Sequence, residues 1–203
     1  EWTMTFATSE MAKEIGQFIK QVGGDSTWDR LGEYFEQIQN GNIIFLINRS
    51  FETDTKTLFD MWTNPELLKQ WLPPTAASMT FFKADIISGG SSHYEMINAD
   101  GSIMYGKINY KTIRPFDLLE YSQSFCDRDG KIGKPPFAPT WPDYMHTKVV
   151  FTPEGNNETR VTIKWQIDPS IPDIEKETFI SARAGMTIGW TGSLDKLEQQ
   201  LLR

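Results

Sequence analysis

The sequence predicts an α+β fold in which one curved antiparallel β-sheet wraps around a long C-terminal α-helix, with an N-terminal helical hairpin added. Residues 79–167 contain six strand-like segments separated by short turn signals such as Gly89-Gly90. Residues 173–203 carry apolar side chains three or four positions apart, which is the spacing of a helix. Consecutive strands joined by short turns indicate an antiparallel meander, and the terminal helix is expected to lie in its curve.

The composition is that of an ordinary globular protein. The chain has 203 residues, of which 39% are hydrophobic, and 20 basic against 27 acidic residues give a net charge of −7. This sign disfavours nucleic acid, whose binding depends on basic residues that contact phosphates. No apolar run reaches the roughly 18 residues of a membrane span, and the first residues lack the order of a signal peptide, so we expect no membrane span and a cytoplasmic location. The single cysteine, Cys126, excludes an internal disulfide.

The N-terminal region predicts a helical hairpin. Residues 9–22 begin with a serine cap and continue with apolar residues at helical spacing up to Gly23-Gly24. A second helix follows, and its apolar face is formed by Trp28, Leu31, Phe35 and Ile38. Such a hairpin is too small to hold a core, so its apolar stripe is expected to dock on the rest of the chain or on a second subunit in a homodimer. We therefore divide the chain into a hairpin extension, residues 1–41, and a main domain, residues 42–203.

The main domain begins with a predicted buried strand, residues 42–51, followed by a helix that Asp54 caps. The stretch MWTNPELLKQWLPP, residues 61–74, then predicts a second short helix between an Asn-Pro start and a Pro-Pro stop. Trp62 is expected to point into the core. Trp71 is expected to edge the entrance of an apolar cavity, which the two short helices would help to close.

The six predicted strands follow in order. In the last of them Val161, Ile163, Trp165 and Ile167 alternate with polar residues, so one face is buried. A long connection, residues 126–145, carries four prolines, and a loop of this length is usually functional or mobile. The predicted strands are MTFFKADII, SSHYEMI, SIMYGKINYKTI, LLEYSQSF, HTKVVFT and TRVTIKWQI.

The predicted terminal helix contains Gly185, Gly189 and Gly192. Each glycine costs a helix about 1 kcal/mol relative to alanine. Their presence indicates close approach to a neighbouring element or to a ligand.

The order of one strand, two short helices, six strands and a long helix is that of the helix-grip fold. Five stretches also carry a resemblance to a known family. Together they resemble the activator-of-heat-shock-protein-90-ATPase homologues, within the START-related and polyketide-cyclase-like (SRPBCC) superfamily. The resemblance covers about residues 43–203 and does not explain the N-terminal hairpin. The stretches are LFDMWTNPELLKQWLPP, ADIISGGSSHYEM, DGSIMYGKINYKTIRPFDLLEY, TRVTIKW and GWTGSLDKLEQQL.

The resemblance implies a cavity between the sheet and the C-terminal helix, which the superfamily uses to hold lipids, polyketides and other small apolar molecules. Binding of a small hydrophobic or aromatic molecule is therefore expected. Chaperone activation belongs to eukaryotic members with an additional N-terminal domain, and residues 1–40 are too short to resemble it, so a chaperone-associated role is a weaker expectation. A cyclase or hydrolase acting in the same cavity is a third alternative.

Periodicity selects the candidate wall residues of this cavity. In SSHYEMI, Tyr94 and Met96 are expected to face one side of the sheet, and His93 and Glu95 the other. On the terminal helix, Met186 and Trp190 lie one turn apart, although such a stripe can also be plain core. The predicted ligand-binding residues are Trp71, Leu72, Tyr94, Met96, Tyr105, Phe125, His146, Trp165, Met186 and Trp190, with Tyr121 as a further candidate.

The sequence offers little catalytic material. Its two histidines, His93 and His146, lie in separate predicted strands, and nothing in their spacing indicates a metal site. The stretch CDRDG resembles the start of a calcium loop, but no glutamate follows at the twelfth position. There is no nucleophile elbow, phosphate-binding glycine loop or dinucleotide fingerprint. We therefore expect no catalytic residues, metal or cofactor.

Overall fold

The computed structural model describes residues 8–10 and 24–202. The first predicted helix, residues 9–22, lies outside the described residues except for its first two positions. The elements are α1 (Gly24–Asn40), β1 (Ile44–Phe51), α2 (Thr55–Thr63), α3 (Pro65–Trp71), β2 (Ser78–Ala84), β3 (Ser91–Ile97), β4 (Ile103–Arg114), β5 (Leu118–Cys126), β6 (Met145–Gly155), β7 (Glu158–Gln166), α4 (Asp173–Ser181) and α5 (Arg183–Leu201).

Within the described residues the strands form one seven-stranded sheet in the order β1-β7-β6-β5-β4-β3-β2. Every neighbouring pair is antiparallel, so strands β2 to β7 form a meander. Strand β1 pairs with β7 and forms one edge of the sheet. The concave face of this sheet packs against α5, and the opposite face is called the convex face below. The predicted α+β fold, a curved sheet around the C-terminal helix, is confirmed.

The two short helices have the predicted caps. The Asp54 carboxylate accepts a hydrogen bond from the Thr57 backbone N–H at 2.9 Å and starts α2. The Asn64 side-chain oxygen accepts a hydrogen bond from the Glu66 backbone N–H at 2.9 Å and starts α3. Pro65 occupies the first position of α3, where a backbone N–H would have no helical partner. These caps hold α2 and α3 across the end of the core.

The predicted single helix over residues 173–203 is two helices, α4 and α5, separated at Ala182. The Ser181 hydroxyl donates to the carbonyls of Glu177 and Thr178, competing with the helical hydrogen-bond ladder, and this accompanies the break. Beyond it, Leu194 and Leu197 on α5 are fully buried against the sheet.

Helix α1 docks through the face opposite to the one that the sequence predicted. Trp28 on the predicted apolar face is 64% exposed, and Leu31, Phe35 and Ile38 are exposed as well. The buried side chains are polar instead, because Asp29 and Glu33 are each only 2% exposed. The prediction that the apolar stripe of this helix docks on the main domain is therefore wrong for the described residues.

The reason lies in β1, which is an edge strand with unpaired backbone groups. Glu33 accepts a hydrogen bond from the Leu46 N–H at 2.7 Å, and Arg30 donates to the Leu46 carbonyl at 2.6 Å. One turn away, Asp29 accepts from the Asn48 side chain at 2.6 Å. A helical turn of about 5.4 Å nearly matches the length of two strand residues, so side chains one turn apart can serve alternate residues of the edge.

None of the helices in the described ranges is both long and apolar enough to cross a bilayer.

Candidate functional site

A cavity of about 210 Å³ lies between the concave face of the sheet and helix α5. The wall is mainly aromatic side chains and methionines. Eight of the ten predicted wall residues line it: Leu72, Tyr94, Met96, Tyr105, Phe125, Trp165, Met186 and Trp190.

Strand alternation places most of this wall. Tyr121, Gln123 and Phe125 follow one another at alternate positions of β5, and all three line the cavity together with Tyr94 and Met96 of β3. Tyr105 borders the cavity from β4, while its ring stacks on the ring of exposed Phe82 with centroids 6.3 Å apart. The sheet therefore supplies the floor, and α5 supplies the roof.

Tryptophan rings hold the roof in place. The Trp190 ring stacks on the Trp62 ring with centroids 6.0 Å apart and meets the Trp165 ring edge-on at 5.8 Å. The Trp62 ring in turn meets the Trp71 ring edge-on, with centroids 4.6 Å apart. Such aromatic pairs contribute about 0.5–1.5 kcal/mol beyond the area that they bury. Trp62, buried in the core as predicted, thus connects α2 to the cavity wall on α5.

Trp71 does not border the cavity. It is fully buried at the end of α3, and its indole N–H donates to the Met61 carbonyl at 2.9 Å. The chain turns after Trp71, so the next residues, Leu72 and Pro74, reach the cavity in its place. The predicted entrance position of Trp71 is corrected to a position in the core.

His146 also lies outside the cavity. Its neighbours Met145 and Thr147 are buried, so strand alternation turns the exposed His146 to the convex face, where it borders a groove with Lys148 and Lys164. The predicted wall position of His146 is wrong by one residue, because Met145 occupies it.

Tyr94, which lines the cavity, closely approaches Gly106. The two residues pair across β3 and β4, and a Cβ atom on Gly106 would stand only 2.2 Å from the Tyr94 Cζ atom. The phenol ring therefore occupies the space that a side chain at position 106 would need. Burial raises the pKa of Tyr94 well above its usual range, so its hydroxyl stays protonated.

The helix glycines have different surroundings. A Cβ on Gly192 would lie 3.1 Å from the Thr75 hydroxyl oxygen, which is the predicted close approach. Gly189 lines the cavity and has no atom within 4 Å of its Cβ position. Gly185 also has no atom within 4 Å of its Cβ position, so the structure gives no packing reason for a glycine there. Beside Gly189, the Ser193 hydroxyl donates to the Leu72 carbonyl at 2.7 Å and joins α5 to the cavity rim.

Sequence reasoning missed several wall residues. Gln123 could have been found by the alternation that placed Phe125 two residues later, but a polar residue gives no apolar signal. Met104 and Ile108 depend on the register between β3 and β4, which short sequence patterns do not encode. The missed residues are Pro74, Met104, Ile108, Gln123, Ser124, Met145 and Ser193.

The wall contains no aspartate, glutamate, lysine, arginine or histidine among the residues described. In the same part of the chain, no three histidine, cysteine or acidic side chains come together as metal ligands would. Burial raises the pKa of the Cys126 thiol, which opposes thiolate formation. This arrangement can enclose an apolar molecule, and it offers no charged acid or base to one.

Comparison with known proteins agrees with this architecture. No match to a curated protein was found. Among solved structures, a Mycobacterium smegmatis protein is 17% identical with a TM-score of 0.65, covering 78% of this chain and 90% of that one. An Arthrobacter aurescens protein is 26% identical with a TM-score of 0.64, and the match covers 76% of this chain and 83% of that one. The AHSA1 protein from Silicibacter pomeroyi is 18% identical with a TM-score of 0.58, and the match covers 78% of this chain and 97% of that one.

The model of one family matches residues 52–201, from the end of β1 to the end of α5. This range includes every residue that lines the cavity. The chain therefore belongs to the family described as Activator of Hsp90 ATPase homolog 1-like protein.

Proposed function

We propose that this protein binds a small apolar or aromatic molecule in the cavity between the sheet and α5. The observation that carries the proposal is the cavity itself, about 210 Å³ of space that is lined by side chains of the core and is partly open to solvent. Protein interiors leave few voids larger than a water molecule, and unfilled space destabilises a core. A concave site lined mainly by apolar and aromatic side chains is typical of a small-molecule binding site.

The chemistry of the wall favours binding over acid–base catalysis. Aromatic rings and the polarisable thioethers of Met96, Met145 and Met186 contact flat apolar ligands well. A cyclase or hydrolase that works by acid–base catalysis needs a titratable group near neutral pH at the reacting atoms. Tyr94 and Tyr121 do not supply one, because burial raises the pKa values of both hydroxyls.

Uptake of the neutral fluorescent probe N-phenyl-1-naphthylamine tests the proposal. The wild-type chain is expected to bind it with enhanced fluorescence, and Met186→Trp is expected to abolish binding by filling the cavity. Ile188→Trp is the matched control, because Ile188 lies on the same helix but is 75% exposed. Equal probe binding by a folded Met186→Trp variant would exclude this cavity as the site.

A second candidate function is association with another protein through α1. The observation that favours it is the exposed stripe of Trp28, Leu31, Tyr34, Phe35 and Ile38, because contiguous exposed apolar surface often marks an interaction site. A homodimer is the simplest form of such association. Sedimentation of wild type and of the double variant Trp28→Ser, Phe35→Ser tests it: the wild type should sediment as a dimer and the variant as a monomer. A monomeric wild type would contradict self-association.

A further inference from the structure

Two side chains of the cavity wall carry buried N–H donors that have no partner among the residues described. These donors are the Gln123 side-chain amide nitrogen and the Trp165 indole nitrogen. A buried donor without an acceptor costs about 1–3 kcal/mol, so each such group needs an explanation. By contrast, the Tyr110 and Ser92 hydroxyls beside the cavity bond each other at 3.1 Å.

The strand register places Gln123 within apolar surroundings. Its cross-strand neighbours are Ile108 on β4 and Met145 on β6, and both line the cavity. Along β5 it stands between Tyr121 and Phe125 on the same face. Of these four neighbours only Tyr121 carries an oxygen acceptor in its side chain, its hydroxyl, and the Gln123 amide nitrogen has no hydrogen-bond partner among the described residues.

Trp165 supplies the second donor from β7. Its ring is fixed between Trp190, at 5.8 Å, and Phe45, at 5.7 Å. An indole nitrogen can only donate a hydrogen bond. The Ser124 hydroxyl, which can donate or accept, also has no partner and belongs to a residue that lines the cavity, whereas the unpartnered indole nitrogens of Trp62 and Trp141 belong to side chains that do not line it. The Gln123 and Trp165 nitrogens therefore have no acceptor among the described residues, and water or a bound ligand that offers an acceptor atom would satisfy them.

The absence of charge in the described wall limits what this molecule can be. A carboxylate or an ammonium group in the cavity would have no counter-ion among the lining side chains, and an unpaired buried charge is strongly disfavoured. We infer that the ligand is a neutral aromatic molecule with an acceptor oxygen, such as a ketone, that receives a hydrogen bond from Gln123 or Trp165. This inference rests on the proposed function, which requires only an apolar ligand.

Displacement of the bound naphthylamine probe by matched tricyclic compounds tests the inference. Fluorenone and fluorene are both flat and differ in a carbonyl group against a methylene group. Fluorenone should bind about two- to tenfold more tightly than fluorene, which corresponds to one net hydrogen bond. Fluorene-9-carboxylate, which adds a charge, should bind more weakly than both. Displacement by the carboxylate as strong as by fluorenone would overturn the requirement for a neutral ligand.

Two variants assign the donor. Gln123→Leu or Trp165→Phe should remove the preference for fluorenone while fluorene binds as before, and thermal unfolding verifies that each variant is folded. Gln199→Leu, at an exposed glutamine on α5, is the control and should keep the preference. Equal binding of fluorenone and fluorene by the wild type would overturn the acceptor inference and leave the proposed function intact. A preference that persists in both variants would also overturn it, and failure of the wild type to bind the probe would overturn both proposals.

Discussion

Replacing Gly106 by alanine is expected to close the cavity from its floor. The added Cβ would lie 2.2 Å from the Tyr94 Cζ and 2.3 Å from the Tyr94 hydroxyl oxygen. Carbon atoms in contact normally stand about 3.5–4.0 Å apart, so the ring must move by more than about 1 Å. The cavity is the open space beside it. Forced repacking of this kind costs about 1–3 kcal/mol, and the displaced ring would occupy volume that a ligand needs.

Urea unfolding and titration with the naphthylamine probe measure the two effects. Gly106→Ala should lower the unfolding free energy by about 1–3 kcal/mol and weaken probe binding at least about tenfold. Gly133→Ala is the control, because no atom lies within 4 Å of its Cβ position. Adding Tyr94→Leu to Gly106→Ala should restore part of the stability, since the two sites are in contact. A Gly106→Ala variant with wild-type stability and wild-type probe affinity would refute the reasoning.

Glu33, the buried carboxylate that caps the edge of β1, carries the remaining predictions. Glu33→Ala should cost about 3 kcal/mol in urea unfolding, because it leaves the Leu46 N–H unpaired and removes the carboxylate that lies 3.6 Å from Arg183. Burial raises the pKa of Glu33 above its ordinary 4.5, although the hydrogen bond from Leu46 and the charges of Arg30 and Arg183 oppose the shift. The folded state therefore binds this proton more tightly, and the group's stabilising contribution is lost as pH rises through the folded-state pKa. The unfolding free energy of wild type relative to Glu33→Gln should fall as pH rises above 4.5, and a pH-independent difference would contradict this.

The strands could be predicted closely because their signals are local. The predicted strand SSHYEMI coincides with β3, Ser91–Ile97, and the other predicted strands overlap β1, β2 and β4 to β7. A period of two in side-chain polarity is visible within a single segment and does not depend on distant residues. The same periodicity placed Tyr94 and Met96 together on the concave face, as the cavity wall shows.

The candidate site was predictable only in part, because a wall is made by residues from several elements. His146 and Met145 are neighbours in the chain, and which of them faces the cavity depends on the register of β6 against β5 and β7. Trp71 was predicted at the cavity entrance, but its indole N–H donates a hydrogen bond to the Met61 carbonyl within the core. A polar wall residue such as Gln123 gives no signal in a search for apolar residues.

Apart from the break at Ala182 in the predicted terminal helix, the sequence by itself determined the order and type of the described elements, the alternation of the strands and the membership of one family, since these depend on short-range periodicity and motifs. Tertiary structure decided which faces meet. The apolar stripe that contains Trp28 predicted the docking face of α1, but the unpaired backbone groups of edge strand β1 are met by Asp29, Arg30 and Glu33. The cavity wall likewise includes Tyr94 packed closely over Gly106, a contact across two strands. Both outcomes depend on atoms distant in the chain, whose proximity exists only once the sheet has formed.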